Sequence, residues 1–299
     1  TIILGPKLGL AGPAWGVLIG AACHFLIQFP LATKMGFRFS FRIKITDEVK
    51  KIGKLALPRM IELSFTQIAK AVELYLSSLI STATYTYYTF GNSLQLLPVG
   101  LFGTSISKAA LPTLSRLSDN IPEFRRTLFK ALYQMAFAAI PIATILGVLR
   151  IPVVRLVYGT DIFTWEATVQ TSMVLSAFAF GIVFQAAAGL LARGFYALHD
   201  TKTPVIISVS ALTINIILNF VLIRLLSLPA WGLAAAFSVG SAFQAGLLFF
   251  FLGKKINGGS LLTTFIPLAK SIVSAVGMGV TMYLLIKVFD KSVWVKGLS

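Results

Sequence analysis

LALPRMIELSFTQIAKAVELYLSSLI, residues 55–80, is long and apolar enough to cross a bilayer, yet it carries Glu62, Lys70 and Glu73 along its length. A hydrocarbon core about 30 Å thick takes ~20 helical residues. A charge at mid-span costs a few kcal/mol or more, so such residues face a watery cavity or pair with one another. At about 100° per residue, Glu62 lies at roughly 0°, Glu73 at 20°, Thr66 at 40°, Lys70 at 80° and Gln67 at 140°. All five therefore share less than half of the helix circumference. Lys70 and Glu73 are i,i+3 neighbours that can neutralise each other, so one reading is a buried ion pair between packed helices. The other is the wall of a polar cavity. Two carboxylates, one cation and two neutral polar groups exceed what one pair explains, which favours the cavity.

Outward from that stretch the chain is apolar nearly throughout. Of its 299 residues 57% are hydrophobic and 12% charged, with a mean hydropathy of +0.85. Those values lie outside the range of soluble domains. Eight spans are expected, at about 11–33, 55–80, 87–112, 127–149, 167–192, 204–226, 229–252 and 264–287. No connection is long enough for a soluble domain, and the alternating ten-residue pattern of a membrane barrel is absent from the sequence. The fold class is an all-α polytopic membrane protein with about eight transmembrane helices. The chain starts at Thr1, without a signal-peptide pattern, and ends just where another span could follow. It reads as a piece of a longer polypeptide.

The net charge of +16 does not argue for nucleic acid, because the basic residues collect between apolar runs. Sixteen Lys and Arg fall on the side of the 34–54 loop and seven on the other, with Lys70, Lys108 and Lys270 within spans or at their ends. The positive-inside rule puts the 34–54 loop in the cytoplasm. Cys23 is the single cysteine, and His24 and His199 lie far apart, so neither a disulfide framework nor a metal spacing is present. Segment 113–126 reads as a short surface helix under the cytoplasmic face. Segment 150–166 reads as its counterpart outside, with Tyr158, Phe163 and Trp165 as interfacial aromatics.

Two further features bear on mechanism. In the third span, Pro98, Gly100 and Gly103 predict a bend or irregular turn, a candidate hinge; Pro141 could kink the fourth. In the sixth span, Asn215 and Asn219 share a face. Amide hydrogen bonds commonly hold membrane helices together. Alternatively, Glu73 with Asn215 and Asn219 is a carboxylate-plus-amide oxygen set that suits a hard cation, by analogy with coupling-ion sites of secondary transporters.

Two strings carry a resemblance. LPVGLFGTSISKAALPTLSR from Leu97 and RGFYALHDTKTPV from Arg193 resemble the signatures of the MurJ (MviN) family of lipid II flippases. AGPAWGVLIGAACHFLIQFPLATKMGF at 11–37 and PRMIELSFTQI from Pro58 add support. The resemblance implies membership of the multidrug/oligosaccharidyl-lipid/polysaccharide exporter superfamily. It implies about fourteen helices, with two six-helix lobes around a central cavity and two further helices forming a lipid-facing groove. On this alignment residue 11 opens the sixth family helix, 55–112 cover the seventh and eighth, 204–252 the eleventh and twelfth, and 264–287 the thirteenth. Residues 1–54 then form the last helix of a missing first lobe and a basic cytoplasmic linker. Residues 55–255 form the second lobe, and 256–299 an additional C-terminal membrane helix.

The implied activity is moving an undecaprenyl-pyrophosphate-linked peptidoglycan precursor across the inner membrane by alternating access. Membrane lipids, the lipid-linked precursor and the missing N-terminal lobe are the implied partners. The expected substrate cavity comprises Glu62, Thr66, Gln67, Lys70, Glu73, Asn92 and Ser93. The sequence departs from the family pattern here. Many members carry an Asp/Asn–Arg pair where this chain has Asn92 and Ser93, so one phosphate-binding Arg is absent. Glu73 stands where members often have Asp, while Lys70 and Glu62 stand where they usually have uncharged residues. Lys70 is the candidate replacement for the displaced positive charge. Na⁺ or H⁺ is the candidate coupling ion. No phosphate-binding GxxxxGK[ST] loop or nucleophile–base arrangement points to an enzyme. Export of another polyprenyl-linked glycan or a small organic cation, and a non-transporting membrane scaffold, are the alternatives.

Overall fold

The computed structural model describes residues 11–36, 47–256 and 261–289. The chain divides into two compact units, 1–54 and 55–299. In the first, α1 (Ala11–Lys34) is a helix with Pro30 inside it. Its end is marked by Gly36, whose φ of 88° suits a residue without Cβ. The residues of the basic loop between 37 and 46 lie outside the described ones.

The helix α2 (Asp47–Ile80) carries the chain from the first unit into the second. There follow α3 (Thr84–Pro98), a π-helical turn (Val99–Thr104) and α4 (Ser105–Arg116), then α5 (Ile121–Val148) and the short α6 (Arg150–Tyr158). Next come α7 (Trp165–Ala197), α8 (Lys202–Phe220) with a second π-helical turn (Val221–Leu225), α9 (Trp231–Lys255) and α10 (Leu261–Phe289). Every element among the described residues is helical, in line with the expected class. Seven helices are long and apolar enough to cross a membrane. The expected eighth, α2, is long enough, but Arg59, Glu62, Lys70 and Glu73 dilute its apolar run.

The second unit is built around α7, which packs against α3, α4, α5, α6 and α9. Small residues set the closest approaches, as in many membrane helix pairs. A Cβ on Gly181 would lie 2.6 Å from Ser238 Oγ of α9. Ser238 itself donates to the Ala177 carbonyl at 2.7 Å, so side chain and backbone interlock there. One apolar cluster, with Phe124, Leu128, Met135, Leu190, Phe195 and Leu252, ties α5, α7 and α9 together. A second joins Leu76 of α2 and Tyr88 of α3 to Val174, Phe178, Ile223 and Leu233. Ala275 of α10 packs onto Ala136 and Ile140 of α5.

The irregular turn expected near Pro98 is the first π-helical turn. Pro98 has no N–H to give its preceding turn. Thr104 and Ser105 hydroxyls both donate to the Gly100 carbonyl, at 2.6 and 3.3 Å, and cover backbone oxygen that the widened turn exposes. By contrast, α5 runs through Pro141 as one helix.

Segment 113–126 is not a separate surface helix. It contains the end of α4, a turn and the start of α5, which Asn120 caps by accepting from the Glu123 N–H at 3.3 Å. A Ser/Thr/Asp/Asn–x–x–Glu pattern with Pro in the first turn is a helix start, and the amphipathic reading passed over it. Segment 150–166 does hold the expected short helix. Phe90 and Tyr158 stack at 4.5 Å and Tyr158 donates to the Phe90 carbonyl, which pins α6 to α3.

Between α7 and α8, His199 adopts a left-handed φ of 57° and ends α7. Asp200 then accepts from Lys255 Nζ at 2.8 Å and from the Thr203 N–H and hydroxyl. Burial alone would raise the Asp200 pKa, but the hydrogen bonds from Lys255 and Thr203 and the Lys255 charge outweigh it and hold the carboxyl below its ordinary value.

Candidate functional site

The polar stripe of α2 meets the rest of its unit along Ala69, Glu73, Leu76 and Ser77, all buried. Their i, i+4, i+7, i+8 spacing defines one face. Glu73 is therefore inside the packed face, only 7% exposed. Glu62 and Thr66 are half-buried at its border, whereas Gln67 and Lys70 turn outward and are exposed. The stripe is divided rather than presented as one wall.

Glu73 does not close an ion pair with Lys70, whose side chain is exposed. Its carboxyl instead meets the hydroxyl of Tyr88, with Lys70 as the nearby positive charge. Tyr88 is 5% exposed and packs on Phe178 at 5.2 Å. It was not among the expected site residues, because an aromatic side chain on an apolar helix reads as core. A buried phenol seeks a partner for its hydroxyl, and the Glu73 carboxyl of the neighbouring helix lies nearby.

On α8, Asn219 Nδ2 donates to Asn215 Oδ1 at 3.2 Å. Both are buried, and Asn215 Nδ2 and Asn219 Oδ1 are left without a hydrogen-bond partner. The backbone of α8 lies close to α9 here, because a Cβ on Gly240 would sit 3.3 Å from Asn215 Cβ. Among the described residues no hydrogen bond links Glu73 to either Asn. Leu76 of α2 and Ile223, which follows α8, belong to one apolar cluster. No group of three or more His, Cys, Asp and Glu exists among the described residues, so any cation would depend on amide and hydroxyl oxygens as well.

Asn92 and Ser93 sit on α3 apart from the Glu73–Tyr88 contact. Asn92 Oδ1 accepts from Gln95 Nε2 at 2.9 Å, and the exposed Ser93 donates to the Thr89 carbonyl. Gln95 is fully buried, with Oε1 unpartnered, and Thr171 Oγ1 of α7 is in the same condition. Neither Gln95 nor Thr171 was anticipated; the only signal available was a polar residue on the side of α3 that faces α7. Pro98, Gly100 and Gly103 all fall at the π-helical turn.

The whole chain, residues 1–299, matches the profile of the family "Lipid II flippase MurJ". A probable lipid II flippase MurJ of Vibrio cholerae is 30% identical over 252 residues, which cover 82% of this chain and 46% of the relative. One from Haemophilus influenzae is 30% identical over 260 residues, covering 83% and 49%. A solved structure of lipid II flippase MurJ in an inward closed conformation superimposes with a TM-score of 0.72 at 26% identity, over 97% of this chain and 64% of the other. The chain spans about half the length of the curated relatives it matches. It belongs to the lipid II flippase MurJ family, multi-pass proteins of the inner membrane.

Proposed function

We propose that the chain forms the second half of a transporter that moves a polyprenyl-pyrophosphate-linked peptidoglycan precursor, lipid II, between leaflets by alternating access. The observation that carries this reading is the match along all 299 residues to a flippase family, on a fold whose helix α2, with Glu62, Lys70 and Glu73 along its length, is only half covered. The missing N-terminal lobe of the same polypeptide is the partner that would complete the cavity. The exposed part of the α2 stripe favours an anionic cargo over an organic cation. Lys70 is exposed, whereas Glu73 is buried and Glu62 half-buried. A pyrophosphate passing along α2 would meet an ammonium first.

A coupling ion fits the buried part of the stripe. Glu73 offers a carboxylate, and Asn219 Oδ1 is a buried oxygen with no hydrogen bond. Hard monovalent cations take such oxygens, and an inward step of one positive charge gains ~2.3 kcal/mol per 100 mV of membrane potential. Na⁺ or H⁺ at Glu73, Asn215 and Asn219 would supply a charge whose entry resets the transporter.

The test is Lys70→Met in the full-length protein, scored by rescue of a strain depleted of its own flippase. Loss of rescue with unchanged membrane expression is expected. Normal rescue would remove Lys70 from the substrate path, and a full-length wild type that cannot rescue would favour a non-transporting scaffold.

A further inference from the structure

Beyond the polar stripe, the ends of α2 and α8 border a half-open pocket of about 380 Å³. Leu79 and Ile80 close α2 on one side; Ile223, Arg224, Ser227 and Leu228 line the other. The second π-helical turn (Val221–Leu225) builds this wall. Leu226 N–H bonds back to Val221 O and Leu228 N–H to Leu222 O, both at 3.0 Å, while Ser227 takes a left-handed φ of 52°. The backbone thus turns tightly here and leaves Arg224 exposed at the pocket, and π-helical turns inside α-helices are frequent at functional sites.

Arg224 is the only charged residue of the lining. Among the described residues its guanidinium has no ion pair and no hydrogen bond, and the Ser227 hydroxyl has none either. An arginine at a span end ordinarily snorkels to water with no further role. This one borders a half-open pocket that also presents the aliphatic side chains of Leu79, Ile80, Ile223 and Leu228. By the charge count it lies on the side opposite the 34–54 loop, the outer one. An unpaired guanidinium presents a planar fork that takes a phosphate by two parallel hydrogen bonds. A free inorganic anion would gain nothing from the aliphatic wall. An amphiphile gains from both, and the volume falls at the small end of the roughly 300–1,000 Å³ typical of ligand pockets.

We propose that this cavity binds an anionic glycerophospholipid of the outer leaflet, its phosphodiester on Arg224 and Ser227 and its glycerol and upper acyl carbons against Leu79, Ile80, Ile223 and Leu228. The lining holds no carboxylate to receive an ammonium, so a phosphatidylglycerol type is selected over phosphatidylethanolamine. A bound lipid would bridge the end of α2 to the segment that closes α8.

The test uses the full-length protein containing this sequence, purified in detergent and titrated with phosphatidylglycerol while bound lipids are counted by native mass spectrometry. One saturable site is expected in wild type. Arg224→Gln should weaken it about tenfold, the scale of one lost hydrogen-bonded charge contact, and Arg224→Lys by less. Phosphatidylethanolamine and inorganic phosphate should not displace the lipid. Equal affinity in Arg224→Gln, equal binding of phosphatidylethanolamine, or displacement by inorganic phosphate would each overturn the proposal. Should Arg224→Gln misfold, Ile80→Trp fills the chamber with Arg224 in place and should abolish the same site; retention of it would also overturn the proposal.

Discussion

The helices α7 and α2 are almost the same length, 33 and 34 residues, but they live in different surroundings. In α7, 56% of the most apolar window is buried, and neighbours touch it on nearly every side. In α2 one face is packed, and Leu63, Ile68, Leu74 and Tyr75 are exposed beside Gln67 and Lys70. A helix enclosed by its neighbours can have one position only, since its contacts are shaped for one register. A helix held along a single face leaves the rest of its surface, here with Gln67 and Lys70, open to whatever lies beside it. The contrast separates a helix held by many neighbours from one held along a single face within the same unit.

The largest effect is expected where the scaffold is tightest. Gly181→Val should cost about 1–3 kcal/mol or more by overpacking against Ser238, read as loss of the monodisperse peak in size-exclusion chromatography of the full-length protein. If that variant folds like wild type, α7 is not the rigid member of the pair. Glu73→Gln comes next. Rescue of a flippase-depleted strain should fall at least about tenfold, ~1.4 kcal/mol in rate terms. Any thermal stabilisation by Na⁺ should vanish, while the melting temperature in K⁺ stays near wild type. A Na⁺ shift that survives the substitution excludes Glu73 as a ligand.

Tyr88→Phe sharpens the comparison further. It keeps the ring on Phe178 and removes only the hydroxyl that meets Glu73, so about 0.5–1.5 kcal/mol of stability should be lost. Chemical denaturation reports it, and a loss of zero would mean the carboxyl is served by another donor.

The smallest effect belongs to the Asp200–Lys255 pair at the α7–α8 turn. Both partners are partly exposed, which limits the pair to about 0–1 kcal/mol. The folded Asp200 pKa is depressed, so its contribution is present above the unfolded value of about 3.9 and is lost as pH falls through the folded value. Lys255→Met should therefore lower the melting temperature slightly at pH 7, and the difference should fade under acid. A difference that grows below about pH 4 would carry the wrong sign for this ion pair.

The all-helical class, the order of the apolar helices and the site of the irregular turn could be read from apolar run lengths and from Pro98, Gly100 and Gly103. Those features are local, as are the forces that produce them. The surface helix placed at 113–126 failed because amphipathic spacing was weighed above the cap at Asn120. The division of the α2 stripe was out of reach for another reason. Angles around a helix say which residues share a side, but the covered part of that side is decided by α3, α7 and α9, far away in sequence. Tyr88, Gln95 and Thr171 were hidden likewise, since their roles exist only where two helices meet.

The widened turn at Val99–Thr104 has one more consequence. It holds a surplus residue in a helix that otherwise counts regularly. Passing that surplus up or down the rod by one turn would rotate everything it crosses by about 100° and shift it by ~1.5 Å, with no break in the rod. Ser105, Ser107 and Lys108 lie next in its path. A chain with one residue deleted from the turn would be locked at one setting of that dial, and a chain with one inserted would carry twice the slack.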